Sequence, residues 1–411
     1  MTVYGLVDVG YTTNKDIKKA DGTVVAKQAG ITDGGYAGNR VGFRGVEDLG
    51  NGLKANFLVE MGLTATNSSL LGPRAAATGF QYDGYATSTA KFDAGTAGAY
   101  SNNSNRQTYV GLSGDFGEVR AGYQYTTLYE ISTLSGFTQT SEGVYGGSAA
   151  HTWGTGVAGG TRSNAIDYKS PRFSGVQVGL QLGSAGGRET TEFATANSAT
   201  GLTRDKQKRT SFKLDYEQGP LKAAWGHTDF KNDQSARAAG STQNSSLSTS
   251  PIINTFNVFG ALTSVGAAST TGDSIYKTKM DQFAASYDFG VAKVGATINK
   301  GTHTVDSAST PAFGTGLSST TATAAGEYKF KSQAISAIAP FGKVRLMAGF
   351  GKASWDSSTA TNADLKQQQL GAMYDFSKRT VAYVYTGSFK DEKAATNYKG
   401  SQTIIGMAHS F

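Results

Sequence analysis

The chain contains no cysteine, which excludes disulfides, thiolate metal ligands and cysteine nucleophiles together. Only 6 of its 411 residues are proline, so it is not a disordered Pro-rich chain. It has no run of about 18 apolar residues, which excludes a transmembrane helix. Its first residues, "MTVYGLVDVG", lack the basic segment and long apolar core of a leader. The strand-like start is instead expected to follow a removed leader, with Met1 in its place. The four histidines, His151, His227, His303 and His409, are isolated from one another, so no metal site and no cofactor are expected. There is no G-x-S-x-G elbow between strand and helix. The glycine cluster "GSAGGR" runs into a polar loop rather than a helix, so it is not read as a phosphate cradle. The chain is not expected to be an enzyme.

What is abundant is glycine, at 54 residues, with 20 Tyr and 21 Phe. Glycine alone is about double the usual ~7 % share. Such a composition favours strands and turns over helices. The formal charge is +7. The basic residues are scattered along the whole chain, with no basic stripe of the kind a groove-binding face requires, so no nucleic-acid partner is expected.

The dominant pattern is alternation with period two. Leu53, Ala55, Phe57, Val59, Met61 and Leu63 alternate with Lys54, Asn56, Leu58, Glu60 and Gly62. Val176, Val178, Leu180 and Leu182 alternate with Gln177, Gly179, Gln181 and Gly183. The same holds at Val119–Tyr125, Phe212–Tyr216, Phe283–Phe289, Val344–Phe350 and Val381–Tyr385. Each segment thus carries one apolar and one polar face. Aromatic pairs fall on the apolar parity beside turns: Tyr123 with Tyr125, Tyr287 with Phe289, Tyr374 with Phe376 and Tyr383 with Tyr385. They are read as girdles facing outward at the membrane interfaces.

Connections fall into two classes. Short turns occur at "EDLGNG", "GDFGEV", "SPRFSG", "EQGPL", "YDFGVAK", "APFGK" and "YDFSKR". Between successive hairpins lie long polar stretches, the longest near 64–105, 127–161, 232–276 and 302–322. Short and long alternate, and about sixteen strands fit between them. A soluble sandwich has no need of that asymmetry. A closed transmembrane barrel shows it, with short turns on one rim and long loops on the other. The expected fold is therefore all-β: a sixteen-stranded antiparallel transmembrane β-barrel in one domain spanning 1–411.

Two segments repeat. "NRVGFRGVEDLGNGLKA" (39–55) and "NRQTYVGLSGDFGEVRA" (105–121) share Asn-Arg, an aromatic, a Gly and a Gly-rich turn in register. With "TVYGLVDVG", "NAIDYKSPRFSGVQVG", "GAMYDFSKRTVAYVYTG" and the terminal "GMAHSF", they run end to end in the order seen in one family. The chain resembles the general porins of Gram-negative outer membranes, most closely the neisserial-type group. That resemblance implies a homotrimer of water-filled barrels in the outer membrane, passing small hydrophilic solutes. It implies contact with membrane lipids and lipopolysaccharide. It also implies that the third long loop, about 127–161, folds into the pore. Terminal Phe411 looks like the signal read by outer-membrane assembly machinery. The family's basic ladder matches Arg40, Arg106 and Arg162.

Parity tests the ladder. Arg40 and Arg44 alternate with Val41 and Phe43, hence face the lumen, as do Arg120, Arg345, Lys54 and Glu60. Arg106 shares parity with Val110 and Leu112, and Arg162 with Ile166 and Tyr168. Either a bulge intervenes, or these two lie above the lipid, or Tyr109 and Gly111 mark the outward face. The repeat favours the last for Arg106; Arg162 has no comparable support. The inserted loop would carry two acids, Glu130 and Glu142, too few to offset the basic wall. Moderate anion preference is expected, with small anionic solutes in transit. The competing reading is an adhesin or structural barrel with a plugged pore.

Overall fold

The computed structural model describes residues 1–18, 24–33, 35–63, 65, 105–135, 162–189, 204–234, 274–305, 326–357, 363–391 and 399–411. Strands β1 (Thr2–Lys18), β2 (Val24–Asp33), β3 (Arg40–Gly50) and β4 (Leu53–Gly62) open the chain. They are followed by β5 (Asn105–Gly114), β6 (Gly117–Tyr125), helix α1 (Thr127–Ser132) with a 3-10 turn at Thr133–Ser135, β7 (Arg162–Lys169) and β8 (Val176–Glu189). Next come β9 (Arg204–Gln218), β10 (Leu221–Gln234), β11 (Ser274–Asp288), β12 (Lys293–Val305) and β13 (Gly326–Phe341). The chain ends with β14 (Val344–Ser357), β15 (Ala363–Asp375), β16 (Thr380–Asp391) and β17 (Lys399–Ser410).

Every pairing between these strands is antiparallel, and each strand from β3 to β17 pairs with the next. On one edge β1 pairs with β17, which closes the sheet. On its other edge, the upper half of β1 pairs with β2 and the lower half with β3. β2 and β3 are thus two halves of one interrupted stave. The seventeen segments make a closed barrel of sixteen staves.

Burial follows the alternation. β13 reads buried and exposed in strict turn from Tyr328 to Ser336. On the outer wall Val110 is 65 % exposed and Phe350 55 %. On the inner wall Ser211, Thr278, Gln282 and Asn299 are fully covered. A soluble protein would not leave the apolar face outermost; a barrel in lipid must. The outward aromatic pairs Tyr287–Phe289 and Tyr374–Phe376 lie beside turns at 4.6 and 4.9 Å between ring centroids.

The pair Tyr383–Tyr385 overturns the expected facing. Both rings point inward, buried at 3 % and 0 % exposure, while Val384 between them is outward. They join Met347, Met373, Val381, Ile404 and Ala408 in an apolar cluster on the inner wall. The reason is the break between β2 and β3. There the chain passes inside the sheet, and Tyr36 packs on this cluster, 6.2 Å from Tyr383. Asp8 anchors it: its carboxylate accepts the Tyr36 and Ala37 N–H groups, each at 2.8 Å, and the Tyr383 hydroxyl at 2.7 Å. Gly35 N–H donates to the same Tyr383 oxygen at 2.9 Å. Alternation alone cannot reveal which face an inner covering segment has made apolar.

The seam ends on Phe411. Its N–H donates to Gly5 O at 3.1 Å, and Gly5 N–H returns a bond to Phe411 O at 3.0 Å. A Cβ at Gly5 would stand 2.3 Å from the Phe411 ring and 2.8 Å from the Arg40 carbonyl oxygen. Gly5→Ala is therefore expected to weaken closure by about 1–3 kcal/mol, as an overpacked contact does. The check is the temperature at which the folded barrel loses its heat-modifiable mobility on gels. An unchanged temperature would mean that the seam does not depend on this contact.

Candidate pore constriction

Helix α1 begins where β6 ends. Thr126 is extended (φ −76°, ψ 150°) and its hydroxyl accepts the Tyr129 N–H at 3.3 Å, capping the helix. Leu128 and Ile131 are fully buried. Ile131 packs with Leu134 against Ala224 and Ala284 on the inner faces of β10 and β11. Gly226 completes this dock: a Cβ there would lie 2.4 Å from Ile131 Cδ1. Small residues on the wall and apolar residues on the helix therefore hold the start of the third long loop inside the barrel.

Docking places Glu130 between two wall cations. Its carboxylate accepts Lys169 Nζ at 2.6 Å and Lys213 Nζ at 2.9 Å. Lys213 also stands 3.3 Å from Asp215, and Lys169 3.9 Å from Asp167. Burial by itself would raise the Glu130 pKa, but the two lysines outweigh it and hold the pKa down at about 2. The second expected loop acid, Glu142, lies outside the described residues.

The basic residues take up different positions. Arg40 and Arg44 face inward across from Leu6 and Thr2. The Arg44 guanidinium lies over the Tyr4 ring at 5.5 Å. Among the described residues neither Arg40 nor Arg44 makes a salt bridge. Arg106 donates to Glu60 at 2.8 Å, and Glu60 also accepts the Tyr4 hydroxyl at 2.9 Å. Arg120 bonds Glu118 at 2.5 Å and lies 4.9 Å from the Tyr109 ring. Arg345 makes a two-pronged bond to Asp375 at 2.8 and 2.6 Å, beside the β13–β14 turn and away from this group. Lys54, opposite Asp48, is likewise next to a turn.

Arg106 reaches the interior by a bulge. Glu60 pairs with Gln107 and Met61 with Asn105, so Arg106 is an extra residue. Tyr109 and Gly111 are not outward as the repeat implied; they pair with inward-facing Leu58 and Asn56, and Val110 faces out. The first repeat has its own bulge at the other end, between Asp48 and Gly50. One extra residue in each hairpin brings the leading arginine and the trailing base, Lys54 or Arg120, to the inner wall, although the stretches between face opposite ways.

Arg162 keeps the parity of Ile166 and pairs with Tyr125. Its guanidinium lies 4.7 Å from the Tyr125 ring centroid and donates to the Tyr125 hydroxyl at 3.2 Å. Arg106 donates to that same oxygen, also at 3.2 Å. Tyr125 in turn stacks on Tyr129 of α1 at 4.5 Å. Sequence reading missed Lys169 as a partner of Glu130. Its only signal was a cation on the inward parity at the end of β7.

The Glu130 linkage has a defined sign. With a folded pKa of about 2 against an ordinary glutamate value of about 4.5, the tether is fully present above pH ~4.5 and is lost as pH falls towards ~2. Channel conductance is expected to hold constant down to pH ~4.5 and then step as α1 loosens. In Glu130→Gln the step is expected to be absent. Single-channel recording across this range checks it; an identical pH step in the variant would contradict the tether.

A sequence model described as Gram-negative porin matches residues 1–333. Outer membrane porin protein 32 of Delftia acidovorans is 26 % identical over 400 residues, covering 96 % of this chain and 85 % of that one. Major outer membrane protein P.IB of Neisseria meningitidis is 23 % identical over 415 residues, covering 100 % and 94 %. Among solved structures, an anion-selective porin from Comamonas acidovorans superposes with a TM-score of 0.61 at 21 % identity, covering 100 % and 99 %, which shows the shared fold. The protein resides in the outer membrane, and family and fold point to a channel rather than an enzyme. The chain belongs to the Gram-negative porin family.

Proposed function

We propose that this porin is a moderately anion-selective diffusion channel for small hydrophilic solutes, working as a homotrimer of single-domain barrels. Its neck lies between the inserted loop, about 127–161, and the wall carrying Arg40, Arg44, Arg106 and Arg120. One observation carries the reading. The described loop acid, Glu130, is tied to two lysines. Arg40 and Arg44, on a stave far round the barrel, make no ion pair among the described residues. Arg106 and Arg120 each have a carboxylate partner and contribute less net charge. A solute crossing between loop and wall meets a net positive field, which attracts anions and slows cations. The solved relative named as anion-selective agrees with this sign. Trimerisation follows the family, and Phe411 at the seam is the terminus offered to the assembly machinery.

Two charges about 8 Å from a passing ion contribute about 1 kcal/mol together at water-like dielectric. The same charges repel a cation by as much as they attract an anion, so Arg40→Gln with Arg44→Gln is expected to lower the anion-to-cation permeability ratio by about thirtyfold at low ionic strength, and by less as salt screens the charges. The reversal potential of the double variant in a salt gradient measures this. No shift would remove these residues from the neck.

A further inference from the structure

Between Asp33, which pairs with Val9, and Arg40, which pairs with Leu6, the sequence has six residues. On the facing edge of β1 only Val7 and Asp8 fill the same gap. Two extended residues cover about 7 Å and six cover about 20 Å, so the excess chain must leave the sheet. Lipid on the outer side has no partners for its backbone groups. The inner side supplies them. Asp8 accepts the Tyr36 and Ala37 N–H groups, and the Tyr383 oxygen accepts the Gly35 N–H. The Asn39 side chain accepts the Asp8 N–H and donates to Asp33 at 3.1 Å, and its carbonyl accepts the Leu63 N–H at 3.0 Å. The described part of this strap, Gly35 to Asn39, is thus tied down through Gly35, Tyr36, Ala37 and Asn39.

The strap lies on one particular arc of the inner wall. A Cβ at Gly35 would stand 2.8 Å from Ile404 Cδ1 on β17. Tyr36 packs on the cluster of Met347, Met373, Tyr383 and Ile404, contributed by β14 to β17. Helix α1, in its turn, covers Ala224 and Ala284 on β10 and β11. The residues that these two inserts cover are uncharged. Arg40, Arg44, Arg106 and Arg120 stand on the arc that runs between them from β1 to β9. A cavity of about 360 Å3 is enclosed by Tyr36 and the β15–β16 turn, and Arg345, Lys378 and Arg379 also line it.

We propose that the strap is a second constriction element of the pore, a fixed jaw that Asp8 and Tyr383 hold against β16 and β17. With α1 it confines the open path to the basic arc. Asp8 and Tyr383 are positioning residues for pore width, acting through the strap rather than touching the solute. Releasing the strap joins the cavity behind Tyr36 to the channel and widens the path beyond the basic arc. This jaw presupposes the pore read above, but not its anion preference.

The test uses the full-length folded protein in planar bilayers and liposomes. Asp8→Ala with Tyr383→Phe removes the bonds to Gly35, Tyr36 and Ala37. One chain thickness is about 5 Å. Single-channel conductance of this variant is therefore expected to rise on the order of twofold, and liposome swelling by a neutral disaccharide to gain more than swelling by a monosaccharide. Ala37→Trp, which enlarges the half-buried part of the strap, is expected to lower both readings, and it tests the jaw even if the release variant fails to fold. The chain has no cysteine, so Gly35→Cys with Ile404→Cys gives one removable clamp across their contact. In the release variant the oxidised clamp is expected to restore both readings, and reduction to undo this. In the otherwise unmodified chain the oxidised clamp is expected to leave conductance unchanged. Unchanged conductance in the folded release variant, a rise that persists with the clamp oxidised, or no effect of Ala37→Trp would each overturn the proposal. So would failure of the clamp to close in the unmodified barrel. Swelling by neutral sugars does not depend on the field at the neck, so these results stand apart from the anion preference, which the reversal potential measures.

Discussion

In hydrocarbon no water is present to satisfy a free N–H or C=O, so a sheet that crosses a membrane must pair its last strand with its first. Here β1 meets β17 from Leu6–Ser410 to Lys18–Lys399, and the backbone bonds between Gly5 and Phe411 finish the seam. Much else follows from that closure. Each strand has one face to lipid and one to the interior, so the apolar residues are outermost. Chain entering the interior must bring its own partners. The α1 segment does so by docking Ile131 on alanines and a glycine, and the segment between β2 and β3 does so through Asp8 and Tyr383.

Charge on the inner wall is graded by pairing. Arg106 with Glu60, Arg120 with Glu118 and Arg345 with Asp375 are local pairs. They fix side chains in place more than they add net field, since each cation carries its own counter-charge. A buried pair such as Arg106–Glu60 offers little stability over an apolar replacement, but breaking it strands a charge. Arg40 and Arg44 stand in the opposite relation, without an ion pair among the described residues. The field that a permeating ion meets is set by such residues, and counting arginines along one wall overstates it.

Fold class was legible because alternation and the contrast between short turns and long loops are strong, repeated signals. The facing of Arg40, Arg44 and Glu60 was legible for the same reason. Arg106 was not, because one inserted residue reverses parity and leaves no mark in composition. The repeat preserved which ends of each hairpin carry a base, but not the location of the bulge. Tyr383 and Tyr385 were misread as a girdle because the inward chain that covers them comes from the other end of the sequence. In each case the missing information is a pairing between distant strands.

A porin whose described loop acid, Glu130, is tethered while Arg40 and Arg44 make no ion pair among the described residues should pass anions more readily than cations. The reversal potential of the unmodified protein in a planar bilayer, under a salt gradient at neutral pH, reads this directly. The account predicts a potential whose sign corresponds to anions carrying more of the current, and a magnitude that shrinks as ionic strength rises. A potential of the opposite sign, or no ion-permeable channel at all, would contradict it.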